Sequence, residues 1–448
     1  MFEIKNGSRH GSVKIPASKS MAHRYLICAA LSGHNTNLLV DGMSKDIEAT
    51  VNCLNALGAR IEGSGEALSS NRERARFEKS GEALSSNREG ARIEKSGTVL
   101  HCDPLDPGGI PENCVPDCGE SGSTLRFLLP VVGALAAKGS FKMHGRLPER
   151  PLAPLDEELV RHGMVLKKQG DELQFSGALR AGTYTIPGTV SSQYISGLLF
   201  ALPLLRGDSV LNVTGPVESR DYILMTEEAL KKAGIRFEKT GNSYRIPGGQ
   251  RYDMPGDLEV EGDFSNAAFF LSIGAFSEQG ATVSGLNTGS LQGDRRIVEI
   301  LEAFGAKTER TEDAVFVKGR GLKGITIDAA LIPDLVPVLS VVGAAAEGET
   351  RIVNAGRLRL KESDRLKSTS DMINALGGRC EETADGLIIT GSGRLKGGEV
   401  DTCNDHRIAM AAAVAACISE APVFLTDETC VAKSYPGFFE DFDRLEKD

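Results

Sequence analysis

The sequence predicts an α/β protein in two halves, each built from three copies of one structural unit. Six apolar runs of helical length recur along the chain, and each closes on a small residue before a strand-like stretch begins. Four of the five intervals between these closing residues are 68 or 73 residues long. So regular a spacing indicates repetition of one unit. The closing residues are Gly33, Gly139, Gly207, Gly280, Gly348 and Ala421.

The six apolar runs are predicted to form buried helices. They are apolar almost all round, whereas a helix at the surface carries a polar face. Each opens on or near a Ser, Asp or Asn that suits an N-cap. We expect the closing glycines to end these helices in the left-handed conformation. The runs span residues 18–31, 120–137, 191–205, 263–276, 332–346 and 404–418.

A second, amphipathic helix is predicted to follow each buried one. Four of these segments end on a similar sequence, an apolar residue followed by glycine: Leu57-Gly58, Ala233-Gly234, Phe304-Gly305 and Leu376-Gly377. The similarity is weaker in a fifth, His162-Gly163. Charged residues occupy one face of these segments, so we expect them to lie nearer solvent. Each unit then holds one buried helix, one exposed helix and several strands. Three units in each half place a boundary near residue 261.

The first interval, of 106 residues, is longer than the others because of a repeated segment. Residues 64–79 and 80–95 differ only at Arg74/Gly90 and Phe77/Ile93. Without 32 of these residues the interval becomes 74, in line with the rest. We interpret the segment as a tandem duplication in a surface hairpin, since loops accept added length at small cost. A functional insertion is the alternative.

Composition favours a soluble cytoplasmic protein. The chain has 448 residues, 41% of them apolar, and its N-terminus lacks the apolar core of a signal peptide. Its apolar stretches are too short to cross a bilayer. The net charge of −10 argues against binding to nucleic acid or to an anionic membrane. Nine irregularly spaced cysteines, with only Cys114 and Cys118 close together, form no zinc pattern, so no metal is expected.

The polar openings of the helices predict an anion-binding cleft. A helix N-terminus carries free N–H groups and partial positive charge. If equivalent helices converge, their openings meet in a cleft rich in Lys and Arg with two or three carboxylates. Each of these polar openings, taken alone, could be only a helix cap or a solvated face. Because they occur at matching points of the repeat, we interpret them together as a ligand-binding site. The substrates should therefore carry phosphate and carboxylate groups.

Seven short motifs then resemble one family along nearly the whole chain. They are PASKS at 16–20 with Arg24, ESGSTLR at 120–126, LPERP at 147–151, SSQ at 191–193, KESDR at 361–365, NDHR at 404–407 and AKSYP at 432–436. Together and in this order they are similar to the motifs of the 5-enolpyruvylshikimate-3-phosphate synthases, which are enolpyruvyl transferases.

The resemblance implies a two-domain inside-out α/β barrel with three βαβαββ repeats in each domain. One domain would be residues 18–261, and the other would join residues 1–17 to 262–448. The site would lie between domains that close on the substrates. The family also implies a monomer without a metal or an organic cofactor.

The implied reaction transfers the enolpyruvyl group of phosphoenolpyruvate to the 5-hydroxyl of 3-phosphoshikimate and releases phosphate, one step before chorismate. Asp334, Glu362 and Lys19 would be catalytic. Phosphoenolpyruvate would be bound by Lys19, Gly122, Arg146, Gln193, Arg365, His406, Arg407 and Lys433. The set for 3-phosphoshikimate would be Lys19, Ser20, Arg24, Ser191, Ser192, Gln193, Ser219, Tyr222, Asp334 and Lys361.

Three positions depart from the family pattern. Glu120 and Arg357 stand where Asn is frequent, and Phe127 stands where Pro is common. They bear on local substrate contacts and on the response to the inhibitor glyphosate. Two other functions stay open at this point: the sister enolpyruvyl transferase that acts on UDP-N-acetylglucosamine, and an inactive binding protein built from repeats. The first is disfavoured because residues 144–151 lack the Cys that its lid loop carries.

Overall fold

The computed structural model describes residues 1–64, 97–106, 108–319 and 321–447. The duplicated segment at 64–95 lies outside the described residues, apart from Ser64, so its interpretation as a surface hairpin stays a prediction. In chain order the α-helices of the described ranges are α1 (Lys19–Ala30), α2 (Lys45–Ala56), α3 (Gly122–Ala134), α4 (Leu155–Arg161), α5 (Ser192–Ala201), α6 (Arg220–Lys232), α7 (Phe264–Gly274), α8 (Ile297–Phe304), α9 (Val336–Ala345), α10 (Arg365–Ala375), α11 (His406–Ala416) and α12 (Phe438–Arg444).

The odd-numbered helices confirm the six predicted buried runs. Helix α7, for example, has all of its residues buried. Five of the six begin with a side-chain N-cap, in which the oxygen of Ser18, Ser121, Ser191, Asp263 or Asp405 accepts a hydrogen bond from a backbone N–H of the first turn. Helix α9 instead follows a 3₁₀ turn, Pro333–Leu335, and has no side-chain cap.

The expectation that the closing glycines end the buried helices is wrong. The residues that cap the C-termini are Leu31, Leu135, Leu202, Ala275, Ala346 and Cys417, and none of them is left-handed. Two of the closing glycines, Gly280 at φ 78° and Gly348 at φ 90°, are left-handed, but they lie beyond the helix ends. The exposed helices are the ones followed directly by left-handed glycines, for example Gly58 at φ 105° and Gly305 at φ 109°. A short turn from an exposed helix into the next strand requires this conformation, which glycine adopts without steric cost.

The strands are β1 (Phe2–Ile4), β2 (Arg9–Lys14), β3 (Thr36–Val40), β4 (Arg60–Ser64), β5 (Thr98–Asp103), β6 (Gly139–Lys142), β7 (Met164–Gln169), β8 (Glu172–Gly177), β9 (Thr183–Pro187), β10 (Ser209–Thr214), β11 (Glu238–Thr240), β12 (Ser243–Ile246), β13 (Asp257–Glu259), β14 (Ala281–Ser284), β15 (Lys307–Arg310), β16 (Ala314–Lys318), β17 (Thr326–Asp328), β18 (Glu347–Val353), β19 (Arg379–Glu382), β20 (Leu387–Ser392), β21 (Gly398–Val400), β22 (Val423–Leu425) and β23 (Glu446–Lys447).

These strands form mixed sheets with a recurring order. In β9-β10-β12-β11 the first pair is parallel and the other two are antiparallel, and β17-β18-β20-β19 repeats this arrangement. Two sheets have the same pattern but take their first strand from a distant part of the chain. Strand β13 lies parallel to β3, and β2 lies parallel to β14. The remaining sheets are β6-β8-β7 and β1-β22-β21.

Two separate apolar cores hold the chain together. One is formed by side chains from residues 17–260, and the other by residues 4–15 together with 264–445. Helices α1, α3 and α5 supply much of the first core, and α7, α9 and α11 much of the second. None of the helices in the described ranges is both long enough and apolar enough to cross a membrane.

Candidate active site

The N-terminal ends of all six buried helices line one cleft. Its walls include Lys19 of α1, Gly122 of α3, Ser192 of α5, Ser265 of α7 and His406 of α11, and Asp334 precedes α9. Eight Lys or Arg residues and four Asp or Glu residues face it. The convergence of the polar openings is therefore confirmed. The excess of positive charge, with partial positive charge at the helix ends, favours anionic ligands.

Arg365 links the carboxylates at one end of the cleft. Its Nε and Nη2 donate to the two oxygens of Asp405, at 2.8 and 3.2 Å. Nη1 donates to Asp334 Oδ1 and Nη2 to Glu362 Oε2, each at 2.7 Å. The Arg365 side chain is only 1% exposed, so these bonds form where water screens them little. One guanidinium thus fixes the separation of two acidic groups that face the cleft.

Surrounding cations keep both cleft carboxylates ionised. Burial alone would raise the pKa of Asp334, but Lys361, Arg407, Arg365 and Lys19 together hold it well below its usual range. Burial opposes ionisation at Glu362 as well, and there Arg365 and Arg150 lead the cations that hold the pKa well below the usual value. Both groups therefore carry negative charge at neutral pH in the ligand-free cleft.

Lys19 and Tyr222 approach the same end of the cleft. Lys19 Nζ donates to Asp46 Oδ2 at 2.8 Å, which fixes the ammonium group at the start of α1. Tyr222 donates its hydroxyl to Asp334 Oδ2 at 3.0 Å. Lys361 Nζ lies 3.4 Å from the other oxygen of Asp334. Asp334 is thus surrounded by proton donors and positive charge, and a hydroxyl substrate here would meet an ionised base.

The start of α3 holds two further guanidinium groups. Gly122 has no side chain, and a Cβ placed there would lie 2.6 Å from Arg126 Nη1 and 2.8 Å from Arg150 Nη1. Arg126 Nη1 donates to Gln193 Oε1 at 2.9 Å. Burial, followed by the charge of Arg150, lowers the pKa of Arg126 to about 10. Two cations crowded at one helix N-terminus gain stability when an anion binds between them.

Several buried nitrogens that line the cleft lack protein partners. His406 Nδ1 and Nε2 and the Nε atoms of Arg126, Arg150 and Arg407 make no hydrogen bond within the described part of the chain. Burial, with Lys19 and Arg407 nearby, lowers the pKa of His406 well below its usual value, so the ring is neutral. Buried polar groups are normally paired, and an unpaired cluster at one cleft marks it as a ligand site.

A buried hydrogen-bond chain fixes the start of α3 to the two preceding helices. His23 Nδ1 lies 2.6 Å from Thr50 Oγ1, which lies 2.7 Å from Thr124 Oγ1. Thr124 in turn donates to the Ser121 hydroxyl at 2.8 Å, and Ser121 caps α3. Helices α1, α2 and α3 are thereby held in one arrangement, and the position of Gly122 follows from it.

The structure places most of the expected site residues in this cleft. Those that line it are Lys19, Ser20, Arg24, Gly122, Ser191, Ser192, Gln193, Ser219, Tyr222, Asp334, Lys361, Glu362, Arg365, His406 and Arg407. Arg146 and Lys433 are not among the lining residues. The Arg146 side chain is 51% exposed and lies 3.6 Å from Glu149. Lys433 Nζ donates to Asn404 O at 2.6 Å and to Glu120 Oε2 at 2.9 Å, beside the cleft.

Arg150 is a cleft residue that the sequence places at a polar helix opening but that neither expected substrate set includes. It lies four positions after Arg146 in the same LPERP segment. Its Nη1 is 3.6 Å from Glu362 Oε1, and its side chain is mostly buried. The motif itself was the available signal, but two arginines in one short segment do not show which faces inward. Arg126, Arg357 and Asp46 also line the cleft without having been assigned a ligand.

Asp294 is a buried carboxyl group next to this cleft. Its side chain accepts a hydrogen bond from Ser265 through Oδ2, and Oδ1 has no partner within the described ranges. Burial, followed by the nearby charge of Asp334, raises the pKa of Asp294 to about 7. The folded protein therefore keeps a proton that the unfolded chain releases in mildly acidic solution.

Replacing Asp294 by Asn should stabilise the protein more in alkaline than in acidic solution. Below the pKa that Asp294 has in the unfolded chain, the carboxyl is protonated in both states and does not destabilise the folded state. As pH rises toward about 7, the unfolded chain releases this proton while the folded chain retains it, so the folded state loses stability. Asn cannot ionise, so the thermal midpoint of the variant relative to wild type should rise between about pH 5 and about pH 8. Asp313→Asn, at an exposed turn, controls for removal of a surface carboxylate. An equal difference at both pH values would contradict the assignment.

Metal and thiol chemistry are not indicated by the described residues. No group of three or more His, Cys, Asp or Glu side chains within them is arranged to hold a metal ion. All nine cysteines are free, and Cys403 alone is exposed. Burial raises the pKa of several of them, Cys102 and Cys417 to about 12. The eight buried thiols are packed groups rather than reactive ones.

Comparison with known proteins gives one consistent result. The family model described as EPSP synthase (3-phosphoshikimate 1-carboxyvinyltransferase) matches residues 5–102 and 88–442. The overlap, residues 88–102, begins within the duplicated segment and extends past its end. A protein named 3-phosphoshikimate 1-carboxyvinyltransferase from Clostridium kluyveri is 40% identical over 97% of this chain and 95% of its own length. One of the same name from Clostridium acetobutylicum is 41% identical with the same coverage. The solved EPSP synthase from Acinetobacter baumannii superposes with a TM-score of 0.75 at 25% identity, over 99% of this chain and 98% of that chain.

Proposed function

The chain belongs to the family of EPSP synthases, the 3-phosphoshikimate 1-carboxyvinyltransferases, and we propose that its cleft residues perform that reaction in the roles that follow. The enzyme transfers the enolpyruvyl group of phosphoenolpyruvate to the 5-hydroxyl of 3-phosphoshikimate and releases phosphate. This is a step of the shikimate pathway, which leads to the aromatic amino acids.

The observation that carries the proposed roles is the convergence of two carboxylates on one buried guanidinium. Asp334 and Glu362 each accept a hydrogen bond from Arg365 at 2.7 Å. Transfer by addition and elimination needs one proton-handling group at the hydroxyl oxygen and another at the methylene carbon. Two carboxylates held by one cation supply such a pair at a fixed separation.

In the addition step, Asp334 and Lys19 handle the proton of the 5-hydroxyl. The hydroxyl oxygen forms a bond to C2 of phosphoenolpyruvate as this proton leaves, and Glu362 gives a proton to C3. Glu362 must first gain that proton, although Arg365 and Arg150 lower its pKa in the free cleft. The phosphate and carboxylate of phosphoenolpyruvate bring negative charge to these cations, so we expect the pKa of Glu362 to rise on binding.

In the elimination step, the proton transfer at carbon is reversed. The Glu362 carboxylate takes a proton from the methyl group, the C–H electrons form the new C=C bond, and the C2–O bond to phosphate breaks. Lys19 and Asp334 supply the proton that the leaving phosphate needs. Cations fixed before the reaction stabilise the charge that develops on that oxygen, because they need not reorganise.

Each substrate has a proposed set of binding residues. For phosphoenolpyruvate they are Lys19, Gly122, Arg146, Gln193, Arg365, His406, Arg407 and Lys433, and the inward position of Arg150 supports adding it. For 3-phosphoshikimate they are Lys19, Ser20, Arg24, Ser191, Ser192, Gln193, Ser219, Tyr222, Asp334 and Lys361. The crowded guanidiniums beside Gly122 support the first set, and the serines that start α5 and precede α6 support the second.

The domain division is also a proposal. We infer two inside-out α/β barrel domains of three βαβαββ repeats each, residues 18–261 and residues 1–17 with 262–448. The two apolar cores and the pairing of β2 with β14 and of β13 with β3 support these boundaries. We also propose that the active form is a monomer, in which one chain supplies the described residues that line the cleft.

The test is phosphate release from purified protein with phosphoenolpyruvate and a choice of acceptor. Release that requires 3-phosphoshikimate is the expected result. Release with UDP-N-acetylglucosamine instead would identify the sister enolpyruvyl transferase, and no release with either acceptor would favour a repeat-built binding protein. Mass spectrometry of the product, with the enolpyruvyl ether on the 5-oxygen, separates transfer from simple hydrolysis.

A further inference from the structure

Arg357 is a buried cation of the cleft for which the proposed reaction has no use. It lies in the 3₁₀ helix Gly356–Leu360 and reaches across the cleft from the second core to the first. Its Nη2 donates to Ser219 Oγ at 2.7 Å and to Ala330 O at 2.6 Å. Nε lies 3.1 Å from Glu218 Oε2 in an ion pair, but it makes no hydrogen bond within the described ranges. The hydrogen bonds of this guanidinium to described residues are thus those of Nη2.

Ser219 has an unusual conformation that presents its hydroxyl to Arg357. Its φ of 49° is left-handed, which is uncommon for a residue with a side chain. It occupies the N-cap position of α6, but its side chain makes no capping hydrogen bond. The hydroxyl instead accepts from Arg357, and both residues line the cleft. The guanidinium and the hydroxyl lie side by side, and such a pair of donors is suited to bind the oxygens of a phosphate group.

The other cations near Ser219 are already engaged by the protein. Arg24 donates to Thr226 Oγ1, to Ser20 O and to Tyr222 O, at 2.6 to 2.9 Å, which uses all three of its nitrogens. Lys361 lies against Asp334, and burial lowers its pKa. Among the described residues that line this part of the cleft, Arg357 is therefore the cation with a guanidinium nitrogen, Nη1, still available to a dianion.

We propose that Arg357, with the hydroxyl of Ser219, binds the phosphate group of 3-phosphoshikimate and selects for the phosphorylated acceptor. This inference rests on the proposed function of the cleft. Glu218 pairs with the guanidinium by charge, with its Oε2 3.1 Å from Nε, and Nη1 is the nitrogen that we assign to the phosphate oxygens.

The test compares Arg357→Gln and Arg357→Lys with Arg359→Gln as the matched control. Arg359 lies in the same 3₁₀ helix but points away from the cleft, with its Nη1 on Asp364 and Glu382. Calorimetry gives the dissociation constants for 3-phosphoshikimate and for shikimate, which lacks the phosphate. Steady-state kinetics gives the KM for phosphoenolpyruvate.

Loss of a charge-assisted hydrogen bond should weaken 3-phosphoshikimate binding about 10- to 100-fold in Arg357→Gln. Arg357→Lys should lie between it and wild type, because Lys keeps the charge but not the forked geometry. Binding of shikimate, the KM for phosphoenolpyruvate and the control variant should all stay unchanged. Equal weakening of both acceptors would overturn the proposal and show that Arg357 only holds the halves together. Unchanged binding of 3-phosphoshikimate would also overturn it. If wild type itself does not bind 3-phosphoshikimate, the proposed function fails instead.

Discussion

Replacing Glu362 by Gln should lower kcat by about 10²- to 10⁴-fold, the range typical for loss of general acid–base catalysis. Gln has nearly the same shape and can still accept the hydrogen bond that Arg365 donates at 2.7 Å. It cannot exchange a proton with carbon. Both substrates should therefore bind, and the KM for phosphoenolpyruvate should not rise, because the variant removes a negative charge beside an anion site.

A solvent isotope readout separates this role from a structural one. In D₂O, addition places a deuteron on C3 and elimination removes one of three hydrogens, so deuterium enters the product. Glu362→Gln should bind both substrates without this exchange. Glu149→Gln, at a side chain that is 71% exposed, is the control and should behave as wild type. Turnover and exchange within tenfold of wild type would remove Glu362 from the mechanism.

Replacing Arg365 by Met should abolish activity and destabilise the fold by about 3–5 kcal/mol, the usual cost of removing one partner of a buried ion pair. Asp405, Asp334 and Glu362 would lose the cation that holds them together. The pKa values of Asp334 and Glu362 would rise, because Arg365 helps to lower both. Thermal unfolding and initial rates measure the two effects.

The variants Arg365→Lys and Arg359→Met make this result specific. Lysine keeps the charge but cannot bind Asp405 with two nitrogens and also reach the other carboxylates, so its stability should be intermediate. In the pH–rate profile of Arg365→Lys, the loss of activity on the acid side should begin at higher pH. The reason is that the carboxylates that must ionise are stabilised less by lysine. Arg359→Met removes two partly exposed ion pairs, with Asp364 and Glu382, and should cost about 1 kcal/mol or less. If Arg365→Met were no less stable than Arg359→Met, the buried hub would not have the proposed importance.

Local chemistry explains why the elements of the fold were predictable. A run such as residues 263–276 has no polar face, so it must be buried, and Asp263 supplies the N-cap that its sequence position suggests. The closing glycines were misassigned because a glycine after an apolar run serves equally well at the start of a strand. Gly139 is the first residue of β6, and Gly348 lies within β18.

The chemistry of the site was predictable only as a set of polar helix openings. The meeting of these openings follows from the repeat, because equivalent helices in repeated units have equivalent orientations. Their N-terminal ends therefore face the same region. Which side chain of a motif faces inward does not follow. Arg146 and Arg150 are both long cations in one segment, and both contact Glu362 in the folded chain. They differ in burial: Arg146 stays half exposed, whereas Arg150 is mostly buried beside Gly122.

The sixfold repeat, the buried and exposed helices and the polar openings that meet at the cleft could all be predicted from the sequence, because periodicity and capping are local properties of the chain. Which partners these residues have is known only from the folded structure. Arg365 binds three carboxylates, Asp294 retains a proton and Arg357 reaches Ser219 across the cleft. Ionisation and ion pairing depend on burial and on distances between residues far apart in sequence, and these exist only in the folded chain.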